Sequence, residues 1–462
     1  MSIITQKLEE SQEAENRISY FFKNHAVGKL LSICGAVKEK GVSVLDIFRY
    51  LFCLMFSDRS MYMQIITNRF NEGFSKNTVY RFLNSTKTNW ERFTVLLSEN
   101  IVNGFLRPLT DEKRRDVFIF DDSSFCKRGY KKTELVARVF DHVEMKYIKG
   151  FRMLTLGWSD GNTFIPIISR LLSSSKDENV LGTVKQLDKR SIAFRRRKEA
   201  REKATDVMIK MLKNAIKAGH QAKYVLFDSW FSSPKTITQI KNECGLNTIA
   251  MVKKSSKIKY LFEGEHKNIK QIFAACKKRR GRSKYLLSVL VNIVSEDKNG
   301  STASIPAKII CVRNRSNHKE WLALICTDIS LSEEDIIQTY GKRWDIEVFF
   351  KTCKSMLKLE TGCHSLSYDA LTAHTAIVFA RYMLIAVETR LNEDDRTGGE
   401  MFFIICDEIQ DISFQKSMLL ILQSVIEVTT EKLGLAEEKV DDLMNEIISR
   451  LPVYIRNSLG LT

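Results

Sequence analysis

The chain has 462 residues, 44% of them hydrophobic, and a net charge of +17 at pH 7. That apolar fraction supports packed cores and excludes a disordered polyelectrolyte, the length suggests roughly two to four domains, and no run of 18 apolar residues predicts a membrane span. The ten cysteines stand singly with no C-x-x-C pair, and the seven histidines are dispersed. This argues against a structural zinc site, suits a reducing cytosol, and comes with an N-terminus that does not read as a secretory signal.

The charge is concentrated. Residues 185–217 hold 12 basic and 4 acidic side chains, and residues 253–284 hold 12 and 2. The remainder sums to about zero, and 361–462 is acidic, with 8 basic against 16 acidic residues. Two basic segments on an otherwise balanced protein predict a phosphate-backbone partner.

Residues 1–110 read as helices. The apolar stretch 42–55 is unbroken by Pro or Gly. Further on, Gly73 marks a turn and Ser75 an N-cap before T-V-Y-R-F-L. Helix, short turn, helix is the outline of a helix-turn-helix, which would turn Lys76, Asn77, Tyr80 and Arg81 toward DNA. Many helical hairpins share this outline.

From residue 116 the texture changes. V-F-I-F (117–120) predicts a strand ending in Asp121, Asp122, Ser123 and Ser124. F-R-M-L-T-L-G-W and F-I-P-I-I-S-R-L flank S-D-G-N, a hairpin signal that makes Asp160 a turn residue. A basic amphipathic helix is predicted near 195–218, bringing Arg195, Arg196 and Arg197 to a DNA-facing surface. Y-V-L-F (224–227) is a second strand ending in an acid, Asp228. A helix from Pro234 and a strand at 248–252 follow. Residues 257–330 are β-rich and read as an insertion carrying Arg279, Arg280 and Trp321. The last hundred residues are helical again.

The stretch from Tyr340 to Lys354, Y-G-K-R-W-D-I-E-V-F-F-K-T-C-K, is predicted as one helix. At about 100° per residue, Tyr340, Arg343, Glu347 and Lys354 fall within about 60° of arc. One stripe then presents an acid among two cations and a phenol. Taken alone it is equally a solvated face with an i,i+4 ion pair. Two strand-end aspartates and a helix glutamate on a basic protein suggest a divalent metal site: magnesium takes oxygen ligands, and nearby carboxylates that repel one another make most sense with a cation bound.

Tyr340, Arg343, Glu347 and Lys354 match the Y-(2)-R-(3)-E-(6)-K signature of the DDE transposases from insertion sequences of family four. I-F-D-D-S-S and F-D-S-W-F-S-S-P are similar to that family's two aspartate motifs, and the resemblance covers roughly residues 110–360. It implies an α/β fold, with an RNase H-like core (a mixed sheet with flanking helices) interrupted by a β-rich insertion. The expected division is a helical DNA-binding region at 1–110, the first part of the core at 111–256, the insertion at 257–330, a final core helix at 331–360 and a helical C-terminal region at 361–462.

Carried over, Asp122, Asp228 and Glu347 would be catalytic and bind two Mg²⁺, with Mn²⁺ as a substitute. Asp121 rivals Asp122, which is preferred because it directly precedes Ser123 and Ser124. Tyr340, Arg343 and Lys354 would grip the phosphates of the transposon end. Trp321 would stack a flipped base, against the plainer reading of a packed strand residue. Trp230 would buttress the site. The resemblance implies double-stranded DNA as partner (terminal inverted repeats and target), a homodimer in the synaptic complex, no membrane, and a bacterial cytoplasm with the nucleoid as location. Segments 418–425 and 443–451 are the candidate dimer contact. The competing classes are a DNA-binding regulator without catalysis, against which the intact acids speak, and a nuclease of the same fold that never joins strands.

Overall fold

The computed structural model describes residues 17–391 apart from 57–59, 68–69, 71–72, 111–114, 128, 130, 142–144, 281–282, 297–301 and 314–319, and beyond these 437–452 with positions 422, 426, 430 and 456. Segment 418–425, one half of the expected dimer contact, therefore lies, apart from position 422, outside the described residues.

The N-terminal region is built from α1 (Arg17–Asn24), α2 (Val27–Ile33), α3 (Val44–Cys53), α4 (Met61–Ile66), α5 (Lys76–Leu83) and α6 (Trp90–Ile101). Ser43 and Asn89 cap α3 and α6 by accepting from backbone N–H groups of their first turns. The helices close around aromatic residues. Phe22, Phe48 and Phe52 contact one another, and Trp90 and Phe93 pack on Phe48. Such rings bury large apolar areas, in the mix of tilted, edge-on and stacked contacts seen here.

The sheet begins with β1 (Val117–Cys126), β2 (Ala137–Asp141), β3 (Lys146–Ser159) and β4 (Phe164–Leu172). Then come α7 (Ile192–Glu199), α8 (Ala204–Lys217), β5 (Tyr224–Phe227), α9 (Pro234–Cys244) and β6 (Asn247–Met251). The expected single basic helix near 195–218 is thus two helices. Antiparallel β4–β3–β1 continues into parallel β1–β5–β6, the mixed RNase H-like sheet expected from the sequence. Both central strands are apolar where they cross the interior: Val117 to Phe120 and Tyr224 to Phe227 are buried. β1 does not end at its acids as expected: it turns polar at Asp121 to Ser124 and runs on through buried Phe125 to Cys126. β5 gives way to Asp228 directly after Phe227, on the side where ligand sites of α/β sheets form. Asp160 takes the hairpin turn as read, accepting the N–H groups of Asn162 and Thr163.

The region read as an insertion forms β7 (Lys259–Phe262), β8 (Glu265–Asn268), α10 (Ile269–Ala275), β9 (Leu287–Glu296), β10 (Thr302–Arg313) and β11 (Trp321–Cys326). It continues the core sheet: β11 pairs antiparallel with β6, and the strand path runs on through β10, β9, β7 and β8. The chain then forms α11 (Glu333–Gly341), α12 (Trp344–Ser355), α13 (Tyr368–Leu391) and α14 (Glu437–Arg450).

Helix α13 is long and apolar enough to cross a bilayer, but 83% of its most apolar stretch is buried inside the protein. It packs on α1, α3, α5, α6, α12 and β4, joining the N-terminal helices to the sheet. Its buried Arg381 donates to the carbonyls of Leu51 and Phe52, satisfying acceptors that the C-terminal turn of α3 leaves open.

Candidate active site

Parallel strands β1 and β5 place two acids side by side. Ile119 is level with Leu226, and two further residues along each strand bring Asp121 level with Asp228. The turn after β5 is fixed locally. The Trp230 N–H donates to the Asp228 carboxylate at 2.9 Å, Ser233 caps α9 with Pro234 in its first turn, and Gly245 ends that helix in the left-handed region at φ 69°.

The third acid comes from α12, but the stripe it belongs to is not on one helix. The chain breaks at Lys342 and Arg343, correcting the expectation of a continuous helix from Tyr340 to Lys354. There the backbone N–H groups of Lys342, Arg343 and Asp345 reach carbonyls three residues back. The Lys342 ammonium is tied to the carbonyls of Arg115 and Asp160. The break keeps the four signature residues on the side that meets β1 and β5. Arg343 donates to Asp121 at 2.9 Å and to Glu347 at 3.1 Å. Lys354 donates to the Ser124 carbonyl at 2.8 Å and pairs with Glu360 at 2.7 Å. The Tyr340 hydroxyl lies 3.5 Å from the Phe227 carbonyl.

Electrostatics mark the same place. Burial pushes the Asp121 carboxyl up to about 7. Arg343 opposes the rise, and the charges of Asp228, Asp122 and Glu347 add to it. Burial also raises Asp228, against the Trp230 N–H and Arg343, and it raises the Tyr340 phenol so that it stays protonated. Mutual elevation of neighbouring acids is a signature of a functional site.

The two rival aspartates differ in surroundings. Asp121 shares Arg343 with Glu347, whereas Asp122 is held by Arg152 at 2.5 Å. Arg152, which sequence reasoning missed, sits on β3 opposite Ser124. A lone arginine inside the apolar run F-R-M-L was the available signal.

The donor set fits a hard divalent cation. It offers oxygen alone, and its acids are strained by like charge that such a cation relieves. Among the described residues no three acids, histidines or cysteines stand ready as a metal cluster; Arg343 and Arg152 take up the carboxylates instead.

The remaining candidates scatter. Lys76 and Arg81 lie on the exposed face of α5, whose Val79 and Phe82 are buried; part of the turn before it is outside the described residues. Arg195, Arg279 and Arg280 are exposed, with Arg279 stacked 4.2 Å from the centre of the Tyr285 ring. Arg197 is buried and Arg196 mostly so, and both are taken up by acids, against their expected DNA-facing role. Arg197 is buried between Glu134 and Asp369, and Arg196 joins Asp369 and the Thr88 carbonyl. Trp321 stacks on Phe273 at 4.1 Å with Lys254 4.2 Å from its ring centre. Trp230 holds Asp228 through its backbone N–H while its ring is 44% exposed.

Two family models match the chain. The DDE superfamily endonuclease model covers residues 48–272, including both β1 aspartates and Asp228, and the transposase DDE domain model covers 184–384, including Asp228 and Glu347. Together they support a DDE transposase, an enzyme of nuclease type whose partner is DNA and whose kind typically uses divalent metals. No curated protein matches the chain.

Proposed function

We propose that this chain is the transposase of an insertion sequence, cutting the element's ends and joining them to target DNA in the bacterial cytoplasm. The supporting observation is the convergence of Asp121 and Asp228 from neighbouring parallel strands with Glu347 from α12, Arg343 bridging two of the three. Asp121 replaces Asp122 as the preferred first ligand because it shares that bridge. The three acids would hold two Mg²⁺ or Mn²⁺ ions. Bound there, such ions activate the attacking oxygen and stabilise the leaving one in phosphodiester cleavage. Arg343, once its carboxylates are taken, is free to hold a phosphate, and Lys354 and the protonated Tyr340 lie along the same side. The proposed course is cut-and-paste: a free 3′-OH attacks the opposite strand to form a hairpin, which opens before strand transfer. Two protomers act together, with 443–451 as a candidate contact.

Labelled end DNA incubated with protein and Mg²⁺ tests this. Nicks, hairpins and joined products are expected; nicks without hairpins or joining would leave a nuclease, and binding without cutting would leave a regulator.

Phosphate contacts are checked through salt. Replacing exposed Arg279 and Arg280 with alanine is expected to make the log affinity against log salt plot shallower by roughly one to two, since each lost phosphate contact removes about 0.9 from the slope. An unchanged slope would place these arginines off the DNA.

A further inference from the structure

A second aromatic surface opens beside the acids, on the opposite side from the insertion. Tyr147 of β3 and Trp230 of the β5–α9 turn are 72% and 44% exposed. With Arg138, Val139, Phe140, Arg152, Ser173 and Ser174 they line an open cleft of about 480 Å³. Tyr147 is braced edge-on by Phe140, its partner across the β2–β3 pair, at 5.2 Å. The turn carrying Trp230 is fixed by its backbone N–H on Asp228, and cations flank its ring: the Arg152 guanidinium at 5.5 Å and the Lys253 ammonium at 4.9 Å from the centroid.

The lining contains arginines and no acid. Arg152 also has one guanidinium nitrogen, Nη2, that is buried with no hydrogen-bond partner. Open aromatic faces beside cations suit a flat base carrying a phosphate, and every base has such a face, so recognition by stacking tolerates any sequence. A paired duplex keeps its bases stacked on one another and cannot offer one to Trp230. The occupant is therefore an unpaired nucleotide.

We propose that this cleft binds one unpaired nucleotide of the DNA, its base on Trp230 with Tyr147 as the second wall and its phosphate on Arg152 and Arg138. The inference rests on the DNA-cutting reading above. It also makes Arg152 a shared group: a phosphate there draws the guanidinium away from Asp122.

The test uses the full chain and three DNAs of one sequence: a blunt duplex, the same duplex with a short single-stranded overhang, and that overhang made abasic. The wild-type protein is expected to prefer the base-bearing overhang over the other two by roughly tenfold, the scale of one base–aromatic stack. A 2-aminopurine base in the overhang is expected to be quenched on binding. Trp230→Ala and Tyr147→Ala should each move the affinity ratio toward one, and Trp230→Phe should restore it. Two exposed positions on different elements guard against a misfolded variant passing as a positive result. A ratio unchanged in both alanine variants, or a wild-type protein that binds blunt duplex without preferring the overhang, overturns the inference alone. Failure to bind any of the three overturns the transposase reading and this inference with it.

Discussion

Asp228→Asn in the full chain is expected to reduce metal-dependent nicking of element-end DNA by about a thousandfold or more, a loss of ~4 kcal/mol of transition-state stabilisation, while the same DNA still binds. The substitution keeps the shape of the side chain and its contact with the Trp230 N–H, so the fold is not the cause of the loss. Asp121→Asn and Glu347→Gln are expected to match it. Asp122→Asn separates the two readings of the first acid. If Asp122 serves mainly as the partner of Arg152, its loss leaves most of the nicking. If Asp122→Asn abolishes cutting and Asp121→Asn does not, the assignment of the first ligand reverts to Asp122. Normal cutting by all four variants would remove the acids from catalysis altogether.

The second large effect concerns stability. Arg197→Ala is expected to cost about 3–5 kcal/mol, because it removes the cation paired with buried Glu134 and leaves buried Asp369 to Arg196 alone. Arg197 is 4% exposed and binds Glu134 with two nitrogens, while Asp369 beneath it is fully buried. Burial alone would raise the Glu134 pKa, and the hydrogen bonds and charge of Arg197 more than offset this, leaving it lowered. Asp369 begins α13 and Glu134 precedes β2, so one guanidinium pins α7 to two other parts of the fold. The denaturation midpoint should fall with little change in slope. The salt dependence of DNA binding should stay as it is in the parent chain. A stable variant with a shallower salt slope would show instead that Arg197 meets phosphate.

That arginine shows where the sequence stopped being legible. F-R-R-R-K reads as a DNA-facing run because its acidic partners, Glu134 and Asp369, are 63 and 172 positions away in the chain. Nothing local reports such a pairing. By contrast, the apolar runs that lead to Asp121 and Asp228 were readable because buried parallel strands show short apolar runs bounded by polar residues, although β1 itself runs on to Cys126. The hairpin was readable because S-D-G-N supplies the turn chemistry. The four-residue signature was recognisable from spacing, yet its geometry was drawn on a straight helix. The break at Lys342 and Arg343 depends on carbonyls of Arg115 and Asp160, more than 180 positions away. The choice between adjacent aspartates was out of reach for a related reason: neighbours on a strand face opposite ways, and the Arg343 contact that favours Asp121 joins residues 222 positions apart.

The pairing of β11 with β6 bears on what could be taken away from this protein. Strand β6 would otherwise end the catalytic sheet, with its backbone donors and acceptors open along one side. The insertion caps that edge with its own strand. A chain trimmed of residues 257–330 would expose a flat apolar border of Ile249, Ala250 and Met251, the kind of edge through which sheets of separate molecules add to one another. The segment that carries much of the second basic cluster is thus also what covers the edge of β6, and a shortened descendant would have to cover β6 by some other means to avoid edge-to-edge association.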